Sequence, residues 1–236
     1  MNLILFEPHE LETPLIWSDP RSEHITQILH MGVGDEFAAG VIEGPIGRAR
    51  ITSMHEGMMS LAFEWGETPP PLPDVTLIIG LPRPPTARKV LNEVTSLGVA
   101  AMHFVITELG EKNYAQSPLW SSGEWRRHVI NGAQQAVDTH LPEVTYARRL
   151  SEVISGLPPS GTRIALDNYE AARPLQDVPL QPPVTVAIGS ERGWSPRELQ
   201  TLRDAGFELA HLGPRVLRVE TASVASVAFV RARLGL

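Results

Sequence analysis

Apolar residues recur along this chain in two rhythms, and the change between them falls at a run of prolines. Before it, short strand-like runs, LILFE, GDEFAAGVIE, GPIGRARITSM and MSLAFEW, are separated by turn signals. Gly32, Gly34, Gly44, Gly47 and Gly57 punctuate them, as in a small β-barrel. Helical spacing over Ser22–His30 predicts one short helix there. ETPPPLPD then stiffens the chain, because proline cannot join a ladder. The expected organisation is a barrel over residues 1–68, a linker over 69–74 and a second domain over 75–236.

After the prolines, apolar strands alternate with helices. VTLIIGLP (75–82), HFVITE (103–108), RIALD (163–167), VTVAIG (184–189) and FELAHLG (207–213) read as strands. Helices are predicted over 85–99, 122–137, 195–206 and 218–233. Ser195, Pro196 and Glu198 form a capping box at the start of the third helix. This alternation predicts a mostly parallel sheet with helices on both faces, and ligands beyond the carboxyl ends of its strands.

Composition narrows the chemistry. The 236 residues include no cysteine, which excludes disulfides, thiolate metal sites and cysteine nucleophiles. MNLILFE lacks the basic flank of a signal peptide, and no apolar run approaches the length of a membrane span. A soluble, cytoplasmic protein without a metal or a membrane partner is expected. The net charge of −7 is unevenly spread. Residues 1–74 carry three Arg and no Lys against twelve Asp and Glu, a net of −9, whereas residues 75–236 have a net of +2.

Two loops stand just past strand ends: IGSERGWS (188–195) and LGPRVLRVET (212–221). Glycine-rich loops before helices bind anions through free N–H groups, but this one has neither the lysine of a P-loop nor GxGxxG spacing. Taken singly, each also reads as a plain turn with solvated arginines. In order and context they resemble the SPOUT superfamily of S-adenosylmethionine-dependent RNA methyltransferases. The nearest likeness is to the family that methylates N3 of a uridine in small-subunit ribosomal RNA. That family has a strand ending IGPEGGFS, then LGxRILRxET before an alanine-rich helix. LPRPPTARKVLNEVTSLGV and QQAVDTHLPEV resemble its LPKxxK segment and EQSGRxxxPEV.

The resemblance implies an N-terminal PUA-like barrel and a C-terminal α/β domain tied in a trefoil knot, assembled as a homodimer that acts on ribosomal RNA or the small subunit. It implies an S-adenosylmethionine site built from Ile188, Gly189, Ser190, Glu191 and Gly193 of one loop and Leu212, Gly213, Val216, Leu217 and Thr221 of the other, with Leu166 beside them. The glycines would let backbone approach the ligand, while Glu191 either touches it or simply faces a helix N-terminus. Arg218 is the candidate catalytic cation, since uridine N3 is a poor nucleophile until its proton leaves. Arg83, Arg192 and Arg215 are the candidate RNA contacts, with Arg126 and Arg127 near them; each also reads as an ordinary surface arginine.

The departures from the family pattern concentrate where RNA is expected. EGG is ERG here, placing Arg192 in the loop; EQSGR is QQAVD, placing Gln134 and Asp138; and Glu93 takes a basic position. Phosphate binding needs Lys and Arg, which the first domain largely lacks. The alternative reading is therefore a non-catalytic protein on the same scaffold that holds the cofactor or a partner.

Overall fold

The computed structural model describes residues 3–236. Its contacts divide the chain into two compact units, the first made of residues up to 71 together with Ala133–Leu141, the second of the rest. The sequence pattern places 133–141 in the second domain, whereas the contacts of that segment group it with the first.

In the first unit, β1 (Ile4–Phe6), β2 (Leu15–Ile16), β3 (Glu36–Val41), β4 (Ile46–His55) and β5 (Met58–Trp65) form one sheet. Its order is β1-β3-β4-β5-β2, antiparallel except for the β1–β3 pair. The sheet curls, because Phe6 of one edge strand and Leu15 of the other share a single core with Phe37, Ile51 and Met59. The expected helix is shorter than its spacing suggests: α1 (Pro20–Glu23) relaxes into a wider turn over His24–Ile28 that sends Ile25 into the core. Arg21 binds Glu10 and Asp19, each at 2.7 Å, and lies over the Phe6 ring.

Residues 133–141 complete this unit through specific bonds. Gln134 Oε1 accepts the Leu5 N–H at 3.2 Å, Thr139 Oγ1 donates to the Gly44 carbonyl at 2.6 Å, and Glu43 Oε1 accepts the Leu141 N–H at 2.8 Å. Asp138 accepts the His140 N–H at 3.0 Å. Gln134 and Asp138, read from the sequence as altered RNA-facing positions, thus make internal contacts.

The second unit runs β6 (Val75–Gly80), α2 (Pro84–Leu97), β7 (Ala101–Ile106), α3 (Pro118–Ser121), α4 (Glu124–Ala136, whose last four residues belong to the first unit), β8 (Glu143–Arg149), α5 (Leu150–Ser155), β9 (Thr162–Leu166), β10 (Arg173–Pro174), β11 (Val184–Ile188), α6 (Pro196–Asp204), β12 (Glu208–His211) and α7 (Val219–Leu234). The seven strands are all parallel, in the order β10-β12-β9-β11-β6-β7-β8. Ile78, Ala165 and Ala187 pack on one face against Leu150 and Val153 of α5 and Leu199 and Leu202 of α6. By strand alternation Leu77, Ile79 and Val186 point to the other face, where α7 meets β11 and α2 packs on α7. Strands β6, β7 and β8 step outward one way while β11, β9, β12 and β10 lie the other way. The direction reverses between β6 and β11, where parallel sheets open a crevice at their carboxyl ends. Among the described residues no helix is long and apolar enough to cross a membrane.

Candidate functional site

A cavity of about 670 Å³ opens at that reversal, and five strands send their following loops into its wall. Residues 188–193 follow β11, 166–169 follow β9, and 216–220 with Leu212 follow β12. Leu109, Gly110, Glu111 and Tyr114 come from beyond β7, and Arg83 and Thr86 from beyond β6.

The loop after β11 is a tight turn. The Gly193 N–H donates to the Ser190 carbonyl at 2.8 Å, and Gly193 takes φ +73°, a conformation that glycine adopts without a Cβ penalty. Arg192, which stands where the resembling family has glycine, is not a positive-φ position, so the substitution costs no backbone strain. Gly189 is needed for a different reason: a Cβ there would lie 2.7 Å from Gly193 C and 2.8 Å from its Cα. Gly80, at the end of β6, supports the turn from below, since a Cβ there would sit 2.3 Å from Ser190 N.

Polar bonds hold the loops together. One Glu191 oxygen accepts the Arg83 N–H at 2.9 Å, tying the β11 loop to the start of α2. Asn168 Nδ2 donates to the Arg215 carbonyl at 3.1 Å, tying the β9 loop to the β12 loop. Asp167 Oδ1 accepts the N–H groups of Tyr169 at 2.8 Å and Glu170 at 2.6 Å, shaping the turn that carries Tyr169 to the rim. The expected capping box is present: Ser195 Oγ accepts the Glu198 N–H at 3.1 Å, and Glu198 Oε2 accepts the Ser195 N–H at 2.8 Å. Buried Glu198 also accepts the Glu108 N–H at 2.8 Å, and Ser195 Oγ donates to Glu108 Oε2 at 2.6 Å. The cap of α6 is thereby fixed to the loop after β7.

Most sequence-predicted residues meet in this one wall. Leu166, Ile188 through Gly193, Leu212, Val216, Leu217, Arg83 and Arg218 all line it. Gly213, Thr221 and Arg215 do not. Gly213 has φ +104°, a conformation that favours glycine, and no protein atom lies within 4 Å of where a Cβ would stand. Thr221 is exposed on the first turn of α7, and Arg215 offers its carbonyl to Asn168 while its side chain is exposed. Sequence reasoning missed Asp167 and Tyr169, and the 109–114 wall; their one signal was position just after a strand. It also missed Glu220, buried on the wall with Lys89 Nζ at 3.7 Å.

The wall offers apolar surface from Leu166, Ile188 and Leu217, hydrogen-bonding groups from Ser190 and Asp167, and arginines at Arg83, Arg192 and Arg218. Val216 is 74% exposed and Tyr169 85%, an unusual state for large side chains at a cavity mouth. Such a volume suits one cofactor-sized molecule with room for a substrate group.

The family model of the RNA methyltransferase domain matches residues 68–231. The ribosomal RNA small subunit methyltransferase E of Treponema pallidum is 35% identical over 98% of this chain and 91% of its own length. The ribosomal RNA small subunit methyltransferase E 1 of Borreliella burgdorferi is 28% identical over 99% of both chains. Among solved structures, the ribosomal RNA small subunit methyltransferase E of Neisseria gonorrhoeae bound to S-adenosyl methionine superposes with a TM-score of 0.82 at 22% identity, covering 99% of this chain and 98% of that one. The two-unit fold is therefore shared from end to end, and the matched segment contains all five loops of the cavity wall. By that match and by its full-length relatives, the chain belongs to the RNA methyltransferase domain family.

Proposed function

We propose that this chain methylates N3 of a uridine in small-subunit ribosomal RNA, with S-adenosylmethionine as donor. The observation that carries the reading is that the two loops matching the family motifs converge on one cavity and are tied across it to the loops after β6 and β9. The names of the full-length relatives and the S-adenosyl methionine bound in similar structures support it. The same reading makes the curled sheet a PUA-like barrel, the β11 and β12 loops parts of a trefoil knot, and the cytoplasm the place of work. It also pairs two chains, while the small residues Ser223 and Ser226 of α7 pack inside the chain.

The residues present fit the cofactor. Leu166, Ile188 and Leu217 would enclose the adenine, while the backbone of 188–193, Ser190 and Asp167 supply polar partners. When bound, S-adenosylmethionine supplies a methyl group already activated by its sulfonium. The work left to the chain is orientation and charge. Arg218, at the N-cap of α7 and on the wall, is placed to stabilise the negative charge that uridine gains as its N3 proton leaves. Arg83 and Arg192 on the same wall offer contacts for phosphate.

The test is methyl transfer from labelled cofactor to undermodified small subunits and to a total RNA pool, with the product nucleoside identified by mass spectrometry. N3-methyluridine in the small-subunit RNA is expected. Intact cofactor binding with transfer to neither substrate would instead favour a cofactor-binding protein without catalysis.

A further inference from the structure

The first unit carries an apolar cluster on its outside that no role so far explains. Strand β2 pairs with β5 as Leu15 with Met59 and Ile16 with Met58. The first pair is buried at 5% and 0%, as the inward face of a half-buried sheet should be. The second pair faces out, where polar residues belong, yet Ile16 is 55% and Met58 41% exposed. Trp17, 57% exposed, follows at the same sheet edge, its N–H held by the Gly57 carbonyl at 2.9 Å. Single exposed apolar residues are ordinary, but three at one sheet edge, including a tryptophan, mark a contact surface.

Charge identifies the occupant. Each of the three arginines of the first unit is paired within it: Arg21 with Glu10 and Asp19, Arg48 with Glu36 at 3.5 Å, and Arg50 with the same Glu36. Residues 1–74 have no lysine, and 133–141 add neither Lys nor Arg. Each arginine thus already faces a carboxylate and lysine is absent, whereas exposed Glu12 and Glu56 flank the apolar cluster in sequence. A nucleic-acid backbone is repelled here, and a cationic polypeptide is attracted.

We propose that Ile16, Trp17 and Met58 form a docking site for a Lys/Arg-rich protein segment bearing an apolar anchor. In the setting of the proposed function, on which this step rests, the segment belongs to a protein of the small ribosomal subunit. The first unit then recognises the particle by its protein and leaves RNA to the second.

The experiment compares binding of the wild-type full chain and of the Trp17→Ser/Met58→Ser double variant to intact small subunits and to the same RNA stripped of protein. Both substitutions replace exposed side chains, and an unchanged melting temperature confirms the fold. The variant should bind intact subunits at least about tenfold more weakly, as when an aromatic anchor is truncated, and stripped RNA as the wild type does. Glu12→Lys with Glu56→Lys should give the same selective loss through charge. Equal losses on particle and RNA would mean that Trp17 stacks on bases, and would overturn the proposal. Unchanged binding to both would overturn it too, as would a shift of oligomeric state in the variant, which would assign the patch to a second copy. Methyl transfer is followed in the same samples. A wild type that binds particles selectively but transfers no methyl sinks the catalytic reading and leaves docking standing; a wild type that binds no particles sinks docking.

Discussion

The carboxylate of Glu191 accepts the backbone N–H of Arg83 at 2.9 Å, across 108 positions of sequence. This bond joins the turn after β11 to the residue that opens α2, so two sides of the cavity are held at a fixed spacing. Glu191→Ala should weaken S-adenosylmethionine binding severalfold to about tenfold, since a hydrogen bond to a charged group contributes about 1.5–3 kcal/mol and solvent at this exposed site reduces that. Glu191→Gln, which keeps an acceptor, should recover most of the loss. Calorimetric titration decides; equal losses for both variants would show that charge and not position matters.

Gly189 and Gly213 should fail for different reasons. Gly189→Ala drives a Cβ to 2.7 Å from the backbone of Gly193, an overpacking of about 1–3 kcal/mol that distorts the turn facing the ligand. Its affinity for S-adenosylmethionine should fall at least about tenfold along with the melting temperature. Gly213→Ala meets no neighbour but must hold φ +104°, so it should lower the melting temperature by several degrees, at roughly 2–4 °C per kcal/mol. Wild-type affinity in a folded Gly189→Ala would remove that turn from the site.

Glu198→Ala should be among the costliest polar truncations in the second unit. It strips acceptors from the N–H groups of Ser195, worth about 1–3 kcal/mol when left buried and unpaired, and of part-buried Glu108, worth less. Ser195→Ala loses a helix cap and should cost only about 1 kcal/mol. Urea titration of both variants would reverse this reading if the order came out the other way.

Acid should act partly through Glu124. Hydrogen bonds from Arg88, and next from His128, hold its carboxyl from an ordinary 4.5 down to about 2. A carboxyl whose folded pKa is lowered stabilises the fold fully above its unfolded value and loses that contribution as pH falls toward the folded value. The window therefore runs from pH 4.5 to about 2. Glu124→Gln should be less stable at neutral pH and show a shallower loss of melting temperature across that window. A loss as steep as in the wild type would place the acid sensitivity elsewhere.

Arg218→Ala should separate binding from chemistry. With Arg218 on the wall but the apolar enclosure made by other residues, cofactor affinity should hold while kcat falls about 10²-fold, the scale of losing one charge-stabilising donor. A parallel loss of affinity would make Arg218 a binding residue instead.

The strands of the second unit could be read from sequence because they are buried on both sides and therefore run apolar without interruption, as VTLIIG and VTVAI do. Strand β8 escaped because it lies at the sheet edge: its residues EVTYARR are mostly exposed, and Ala147 at φ +58° breaks the alternation. The site was legible where glycine and arginine mark loops after strands, at 188–193 and 212–218. It was illegible at Asp167, Tyr169 and Tyr114, whose residue types are unremarkable and whose roles depend on which strands become neighbours. Gly213 has a second requirement that residue type alone does not show, a backbone angle of φ +104°. The membership of 133–141 depends on the partners of Thr139 and Gln134, which no local pattern encodes.

The bonds of Gln134, Thr139 and Leu141 to Leu5, Gly44 and Glu43 also set an order of events during synthesis. Domains emerging from a ribosome ordinarily fold in turn, beginning with the N-terminal one. Here residues up to 71 emerge while the segment that completes their unit is still unmade, and the Leu5 N–H and Gly44 carbonyl wait until residue 139 has been added. The same arrangement means that a cut in the proline run does not divide the protein into two inheritable modules. A shuffled first unit would leave its last piece behind, and its new host would have to supply another.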